Sequence, residues 1–437
     1  MGRAPFLGVV RAYGRPMRDD PRLPSTPGFW RSPLRGPWFT SVLGLVLLVG
    51  ITVLFVTGLV SYAAYNPDLS PVNDKTPDKG LLGFYLFAWP THPHWLYRLN
   101  QGVHVTLGIT LIPVLLAKLW SVVPRLFTLP PARSLAHALE RISLLLLVGG
   151  GLFEFVTGVL NVQLDYVFPG SFYPLHFYGA WVFFAAFVAH ACLKLPAALR
   201  ALRHLREEPG GGHLRDEPGS DLVSPRPAAP TVSRRGALWF VGGGSLLLFV
   251  TTVGQSLGGP LRRTALLAPH GGRDPGSGPN GFQINKTAAY AGISASETSA
   301  EAWRLVVTGR TGTVRLSRTD LLQLPLHSSA LPIACVEGWS TSDQWWRGVR
   351  LRDLAALVGY DRDDPPDVFV ESLQRHGAFR RAALRANQVA DPRSLLALFV
   401  NGEELSPDHG HPARVIVPAA PGVLNTKWVA RLTFGDL

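Results

Sequence analysis

Two cysteines stand in 437 residues: Cys192 inside an apolar run and Cys335 in the stretch PIACVEGWSTSDQWW (332–346), 143 positions further on. Their number and separation exclude a disulfide framework and any iron–sulfur or zinc cluster built from cysteines. A metal in this chain binds through histidine or through one thiolate. The ordinary role of an isolated cysteine is that of a small buried hydrophobe, and Cys335 has to be weighed against it. Three histidines raise a separate question: His104 in QGVHVTLG, His176 in PLHFYG and His190 fourteen residues later all lie in otherwise apolar runs. An imidazole there is costly unless it has a partner, and a metal is one such partner. Glu154 stands mid-run in FEFVTG. A carboxyl in that setting suits proton uptake or a quinone headgroup, or is a protonated side chain bonded to a neighbour.

The elements that carry these residues follow from composition. With 47% hydrophobic and 16% charged residues, the chain reads as a membrane component. Apolar runs at 38–60, 101–120, 142–162, 174–195 and 237–257 each have the roughly 20 residues that a helix needs to cross about 30 Å of hydrocarbon. The net charge of +12 does not mark a nucleic-acid binder, because the basic residues flank those runs. Nineteen Lys and Arg fall before the first run, in 118–141 and in 194–235, against Lys75, Lys79 and Arg98 in the alternate loops. The positive-inside rule then puts the N-terminus in the cytoplasm and everything after the fifth run outside. In TVSRRGALWFVGGGSLLLFV (231–250), Ser233, Arg234, Arg235 and Leu238 resemble a twin-arginine signal, which implies the export machinery for domains folded before crossing. An ordinary positive-inside flank also contains paired arginines.

The first and third runs share a motif, FVTGLV at 55–60 and FVTGVL at 155–160, each with LLVG ahead of it. The two helical hairpins therefore read as copies. In that frame His104 and His176 occupy matching places and face one another across a four-helix bundle, as the axial ligands of a haem b iron would. Two imidazoles give a low-spin, electron-transferring haem. His190 lies on the face of His176 about 21 Å deeper, a spacing similar to that of two-haem b-type cytochromes. The second helix offers Lys118 at the matching offset, so a second haem needs another ligand, such as His137. An alignment that pairs Lys118 with Lys194 instead removes the match between His104 and His176.

From residue 282 onward, short β-rich runs (WRLVVTG, DVFVES, ARVIVP) alternate with helical patterns such as RLRDLAALVG, which predicts a mixed α+β domain. CVEGWS (335–340) with WWRGVRLRDL (345–354), FVNGEELSPDHGHPARVIVP (399–418) and GVLNTKW (422–428) resemble, in order, the molybdenum-binding segments of the sulfite oxidase family. The resemblance implies that Cys335 supplies a thiolate to a molybdenum also held by a pterin dithiolene, with molybdopterin contacts at His409, Arg414, Asn425 and Lys427. Arg and Lys are the side chains suited to the pterin phosphate. Asn285 and Lys286 in FQINKTA and Ser372 in VESL fall near further family contacts. Trp345 and Trp346 read as core or as a shield over a metal. Glu337 and Asp343 read as surface groups or as neighbours of the ligand, and His92 and His94 as solvated loop residues.

The expected architecture is multi-domain: an all-α transmembrane bundle of four helices plus a fifth anchor helix, then a mixed α+β, sulfite oxidase-like molybdopterin-binding domain. Its segments are a cytoplasmic tail (1–37), a haem b domain (38–200), a linker with the twin-arginine-like motif (201–236), the anchor (237–257), a second linker (258–281) and the oxidoreductase domain (282–437). The function expected is oxygen-atom transfer on a small sulfite-like or sulfoxide-like substrate, with electrons exchanged through haem b and a membrane quinone. Two other readings stay open: an exported non-catalytic binding or assembly module on an anchor, and a transporter, which five spans and one carboxyl support thinly.

Overall fold

The computed structural model describes residues 22–69, 72, 86–127, 134–163, 168, 172–203, 224, 226–257, 259–267, 277–375 and 379–437. The basic tail up to residue 21, Lys75, Lys79 and the linker residues 204–223 and 268–276 lie outside them. Five long helices hold the five apolar runs: α1 (Pro37–Ala64), α2 (Leu96–Leu126), α3 (Leu135–Asn161), α4 (Tyr173–Arg203) and α5 (Arg234–Leu257). All five are long and apolar enough to cross a membrane. Pro113 and Pro124 in α2 and Pro196 in α4 do not break them, as apolar helices packed on neighbours tolerate proline. The Ser233 hydroxyl caps α5 by accepting the Gly236 N–H at 3.0 Å, so a structural role accounts for one residue of the twin-arginine-like motif.

The chain divides into two compact units. One comprises Met1–Val49, Leu111–Gly149 and Phe184–Ser245. There the Lys118 ammonium donates to the Thr40 carbonyl at 2.7 Å, and the Arg35 guanidinium lies 4.1 Å from the Trp120 ring and 5.1 Å from Trp30. Gly44 leaves room for Lys118, since a Cβ there would sit 3.2 Å from its Nζ.

The other unit comprises Gly50–Thr110, Gly150–Phe183 and Leu246–Leu437, so portions of all five helices belong with the C-terminal domain. Gly150 and Gly151 permit close packing of α3 on α4, where an added Cβ would meet Phe183 at 3.1 and 3.3 Å. Stacked pairs Tyr62–Phe177 and Tyr65–Tyr173, at 4.4 and 5.1 Å, join the end of α1 to the start of α4.

Among the described residues the C-terminal domain has ten strands: β1 (Leu305–Gly309), β2 (Gly312–Leu316), β3 (His327–Leu331), β4 (Gln344–Arg350), β5 (Val368–Ser372), β6 (Arg381–Leu384), β7 (Leu395–Val400), β8 (Glu403–Glu404), β9 (Arg414–Ile416) and β10 (Val429–Phe434). They form one sheet in the order β2-β1-β10-β5-β6 and another in the order β3-β4-β7-β8, with β9 also on β7. The first mixes a parallel β1–β10 pair with antiparallel neighbours. Leu305 and Val307 of β1 alternate inward, whereas Leu395 to Leu398 of β7 are all buried, as a strand covered on both faces requires. Trp346 is core as expected, but Trp345, on the opposite face of β4, is 55% exposed. Glu337 is no surface group: it is buried and accepts the Trp339 indole N–H at 3.0 Å.

Two features of this unit position the site. Residues 89–91, ahead of α2, are seated in the domain: Trp89 is buried, its indole donates to the Ala419 carbonyl at 2.7 Å, and Asn387 and Arg393 donate to the Trp89 and Thr91 carbonyls. The second feature is the turn from Cys335 to Ser340, closed by Cys335 N–H to Trp339 carbonyl and Gly338 N–H to Cys335 carbonyl, at 2.8 and 3.1 Å. Gly338 has φ +93°, and a Cβ would lie 2.6 Å from Val105 of α2. Gly338→Ala is therefore expected to lower stability by about 1–3 kcal/mol from backbone strain alone, read as a drop in melting temperature. An unchanged melting temperature would show that the turn is not held as described.

Candidate active site and histidine pair

Cys335 lies at the start of that turn, 4% exposed, in a cluster with Phe282, Ile333, Trp339 and Trp346. Burial, then the nearby Glu337 carboxylate, hold its thiol pKa well above the ordinary value, so without a cation the sulfur keeps its proton. A metal ion reverses that balance, because a coordinated thiol is deprotonated.

The residues singled out for the pterin converge on a cationic pocket. Arg414, on β9, is 4% exposed and Lys427, just before β10, is 9% exposed; among the described residues neither meets a carboxylate at ion-pair distance. The Lys427 ammonium donates to the Lys286 and Asp408 carbonyls, each at 2.8 Å. Arg414 lies 5.6 Å from the Trp346 ring and donates to the His409 carbonyl at 3.4 Å, while its Nε has no partner. Burial lowers the Arg414 pKa to about 9, and burial with the Arg414 charge lowers Lys427 well below the usual lysine range.

His409 is neutral. Burial first, then the Arg414 and Lys427 charges, bring its pKa to about 3. Its ring stacks on Phe282 at 3.7 Å, Nε2 donates to the Asn280 carbonyl at 2.9 Å, and the buried Nδ1 has no partner. Asn425 accepts the Val417 N–H through Oδ1 and leaves Nδ2 unpaired; Ser372 donates to the Lys427 carbonyl at 2.7 Å. Lys286 joins this group through its carbonyl, and the half-buried Asn285 precedes it in the chain. Two buried basic side chains without a carboxylate at ion-pair distance among the described residues, with the unpaired donors Arg414 Nε and Asn425 Nδ2, fit an anionic group rich in acceptor oxygens, as a pterin phosphate is.

A test of that fit follows from the same electrostatics. In protein prepared without molybdenum cofactor, Arg414→Leu and Lys427→Met are each expected to raise stability by about 1 kcal/mol or more, since an unpaired buried charge is removed. The same variants are expected to hold less cofactor when it is supplied. Lower stability in the cofactor-free state would refute the uncompensated-charge argument.

The histidine pair is the second constellation. The rings of His104 (α2) and His176 (α4) are 6.2 Å apart between centroids, at an interplanar angle of 89°. Each Nδ1 is 2.9 Å from a threonine hydroxyl, Thr57 for His104 and Thr157 for His176. Both hydroxyls give their proton to a carbonyl of their own helix, Val53 and Phe153, each at 2.8 Å. They therefore accept from the imidazoles, which places the proton on Nδ1 and leaves the Nε2 lone pair free. Metal–imidazole bonds of about 2.0 Å would set two trans rings about 6 Å apart between centroids, so the observed separation fits one metal between them. Gly58 and Gly158 complete the repeat: a Cβ at either would sit 3.3 or 3.4 Å from the facing imidazole Cε1.

One residue breaks the symmetry. Glu154 Oε2 lies 3.1 Å from His176 Nδ1, whereas the first copy has Leu54 at that place. Lys118 is engaged with Thr40, so the alignment that pairs it with Lys194 loses to the one that brings the histidines together. His190 is half-buried in the other compact unit, and the side chain of His137 lies outside the described residues. His92 is exposed as expected, but His94 is half-buried and pairs with Asp343 at 3.3 Å. Sequence reasoning passed over Thr57, Thr157 and Phe282, though the threonines stood in the repeated FVTG motif.

A buried thiol in a two-sheet domain that also buries Arg414 and Lys427 suits an anionic, metal-bearing cofactor. Residues 292–436 match the family model "Oxidoreductase molybdopterin binding domain", which takes in Cys335, Ser372, His409, Arg414, Asn425 and Lys427 but not Asn285 or Lys286. The chain is 32% identical over 158 residues to the mitochondrial sulfite oxidase of Rattus norvegicus, covering 30% of this chain and 29% of that protein. It is 32% identical over 133 residues to the uncharacterized oxidoreductase YuiH of Bacillus subtilis (strain 168), covering 30% of this chain and 65% of that one. Over 103 residues it is 37% identical to a nitrate reductase (NADPH) of Phytophthora infestans, 23% of this chain and 11% of that one. The match thus spans under a third of the sulfite oxidase. Residues 292–436 therefore match a molybdopterin-binding oxidoreductase domain and, over that stretch, are similar to sulfite oxidases.

Proposed function

We propose that this chain is a membrane-anchored molybdenum enzyme that moves an oxygen atom to or from a small extracytoplasmic substrate and exchanges electrons with a membrane quinone through haem b. When bound, the molybdenum–pterin group supplies two-electron oxygen-atom chemistry and the haem supplies single-electron steps. Cys335 is the metal's protein ligand. Arg414 and Lys427 hold the pterin phosphate, with Lys286, Asn285, Ser372 and Asn425 shaping the pocket, and the neutral His409 ring offers an acceptor beside them. His104 and His176 are the haem ligands, kept in the correct tautomer by Thr57 and Thr157. A second haem on His190 would need a ligand from elsewhere in its unit.

The observation that carries this reading is the histidine pair at 6.2 Å in the same compact unit as Cys335. Five apolar helices and the basic-residue distribution support a multi-pass protein with its N-terminus in the cytoplasm, and the twin-arginine-like motif supports export of a folded domain. Substrate of either sulfite-like or sulfoxide-like type fits the parts, since both exchange one oxygen atom.

Metal analysis and a haem spectrum on one purified sample test the proposal. With both groups present, reduction of the haem on adding sulfite marks an oxidase. Oxidation of pre-reduced haem by a sulfoxide marks a reductase. A sample grown with ample molybdate and haem precursor that lacks either group would end this reading.

A further inference from the structure

Four hydrogen bonds fasten the turn that bears Cys335 to helix ends. Three involve α5: Ser256 Oγ donates to the Gly338 carbonyl at 2.6 Å, Ser340 N–H to the Gln255 carbonyl at 2.9 Å and Ser340 Oγ to the Ser256 carbonyl at 2.9 Å. The fourth comes from α2, where Gln101 Nε2 donates to the carbonyl of Val336, the residue next to Cys335. Gln101 is buried, and its Oε1 accepts from Ser61 Oγ at 2.9 Å, which sets the amide so that its nitrogen faces Val336. A buried amide is tolerated only when its hydrogen bonds are made, and apolar packing alone would be served as well by leucine.

Gln101 differs from the α5 contacts in where it leads. It stands three residues before His104 on α2, within the same helical turn. Its neighbour Asn100 donates to the Thr57 carbonyl at 2.9 Å, and Thr57 is the residue that holds His104 Nδ1. One turn of α2 thus touches both the residue beside Cys335 and the segment that orients the histidine.

We propose that Gln101 is a positioning residue for electron transfer: the bonded route from Cys335 through the Val336 carbonyl and the Gln101 amide into the His104 turn couples the two redox centres. The proposal rests on the molybdenum and haem reading above. Each passage moves one electron and no atom or proton. In the oxidase direction the molybdenum site loses one electron and ferric haem becomes ferrous; the reductase direction is the reverse. Two passages match one oxygen-atom transfer, and a quinone is the electron partner beyond the haem. A hydrogen bond couples better than the van der Waals gap that would replace it. The competing route is through space by way of Tyr97, which is buried against Ala334 and Val336.

The test uses the full chain with molybdenum content and haem spectrum verified first, so that failure of the earlier reading is seen before the kinetics begin. One electron is injected by a flash-photolysed flavin and its equilibration is followed at the haem absorbance. Gln101→Leu is expected to slow that equilibration severalfold, with haem spectrum, haem midpoint potential and molybdenum content unchanged. Ser256→Ala removes a bond to the same turn from α5 and is expected to leave the rate as it was. Should Gln101→Leu lose haem, Gln101→Met keeps the side-chain length without the donor and takes its place. A wild-type rate in the Gln101 variant, equal slowing by Ser256→Ala, or slowing confined to Tyr97→Leu would each overturn the proposal.

Discussion

Cys335→Ser is expected to abolish the proposed oxygen-atom transfer while any haem absorbance stays in place. The exchange swaps a soft, polarisable sulfur for a hard hydroxyl that does not deprotonate in an apolar pocket, and the proposed molybdenum ligand is lost. The loss is expected to exceed the roughly 10–100-fold that removal of an outer-shell partner of a metal ligand produces. The fold survives, because the turn is closed by backbone bonds at Cys335, Gly338 and Trp339 that the side chain does not make. Burying a hydroxyl in place of the thiol costs about 1–3 kcal/mol, visible as a modest drop in melting temperature. Full turnover in this variant would end the molybdenum assignment, whatever the haem does.

His104→Ala and His176→Ala should each erase the same b-type absorbance. A haem held by two imidazoles loses its spectrum with either one, and the two rings here lie 6.2 Å apart with each Nδ1 held by a threonine hydroxyl. Thr57→Val and Thr157→Val remove only the group that fixes the tautomer, so haem affinity is expected to fall about 10–100-fold without the spectrum being lost outright. The pair would be wrongly chosen if either alanine variant kept its haem while His190→Ala lost it. Turnover with an artificial electron acceptor that draws directly on the C-terminal domain should continue in both alanine variants.

Much of this was legible in the primary structure because membrane helices and metal-binding motifs are local signals. A 20-residue apolar run declares a spanning helix, and each of the five runs falls on one of α1 to α5, although the helices extend up to eight residues beyond them. The FVTG repeat pointed to His104 and His176 for the same reason, through short spacing along two similar hairpins. What could not be read depends on which faces meet. Glu154 touches His176 across two helices, and nothing in its own neighbourhood of sequence says so. Trp345 and Trp346 are adjacent and chemically alike; only the pleat of β4 decides that one is core and the other solvent-facing. Gln101 and Val336 are 235 positions apart, so their bond is invisible to any local pattern.

The seating of Trp89 has a practical consequence for dissecting the protein. Cutting the C-terminal domain away from its helices, a natural shortcut for making soluble material, would strip an indole from its slot, take the Trp89 partners from the Ala419 carbonyl and the Asn387 amide, and leave Arg393 with Asp391 but without the Thr91 carbonyl. Such a fragment is not a self-sufficient cassette. Detergent or nanodisc preparations of the intact polypeptide are the proper material for spectroscopy, and domain transplants onto foreign anchors would inherit a hole where that tryptophan belongs.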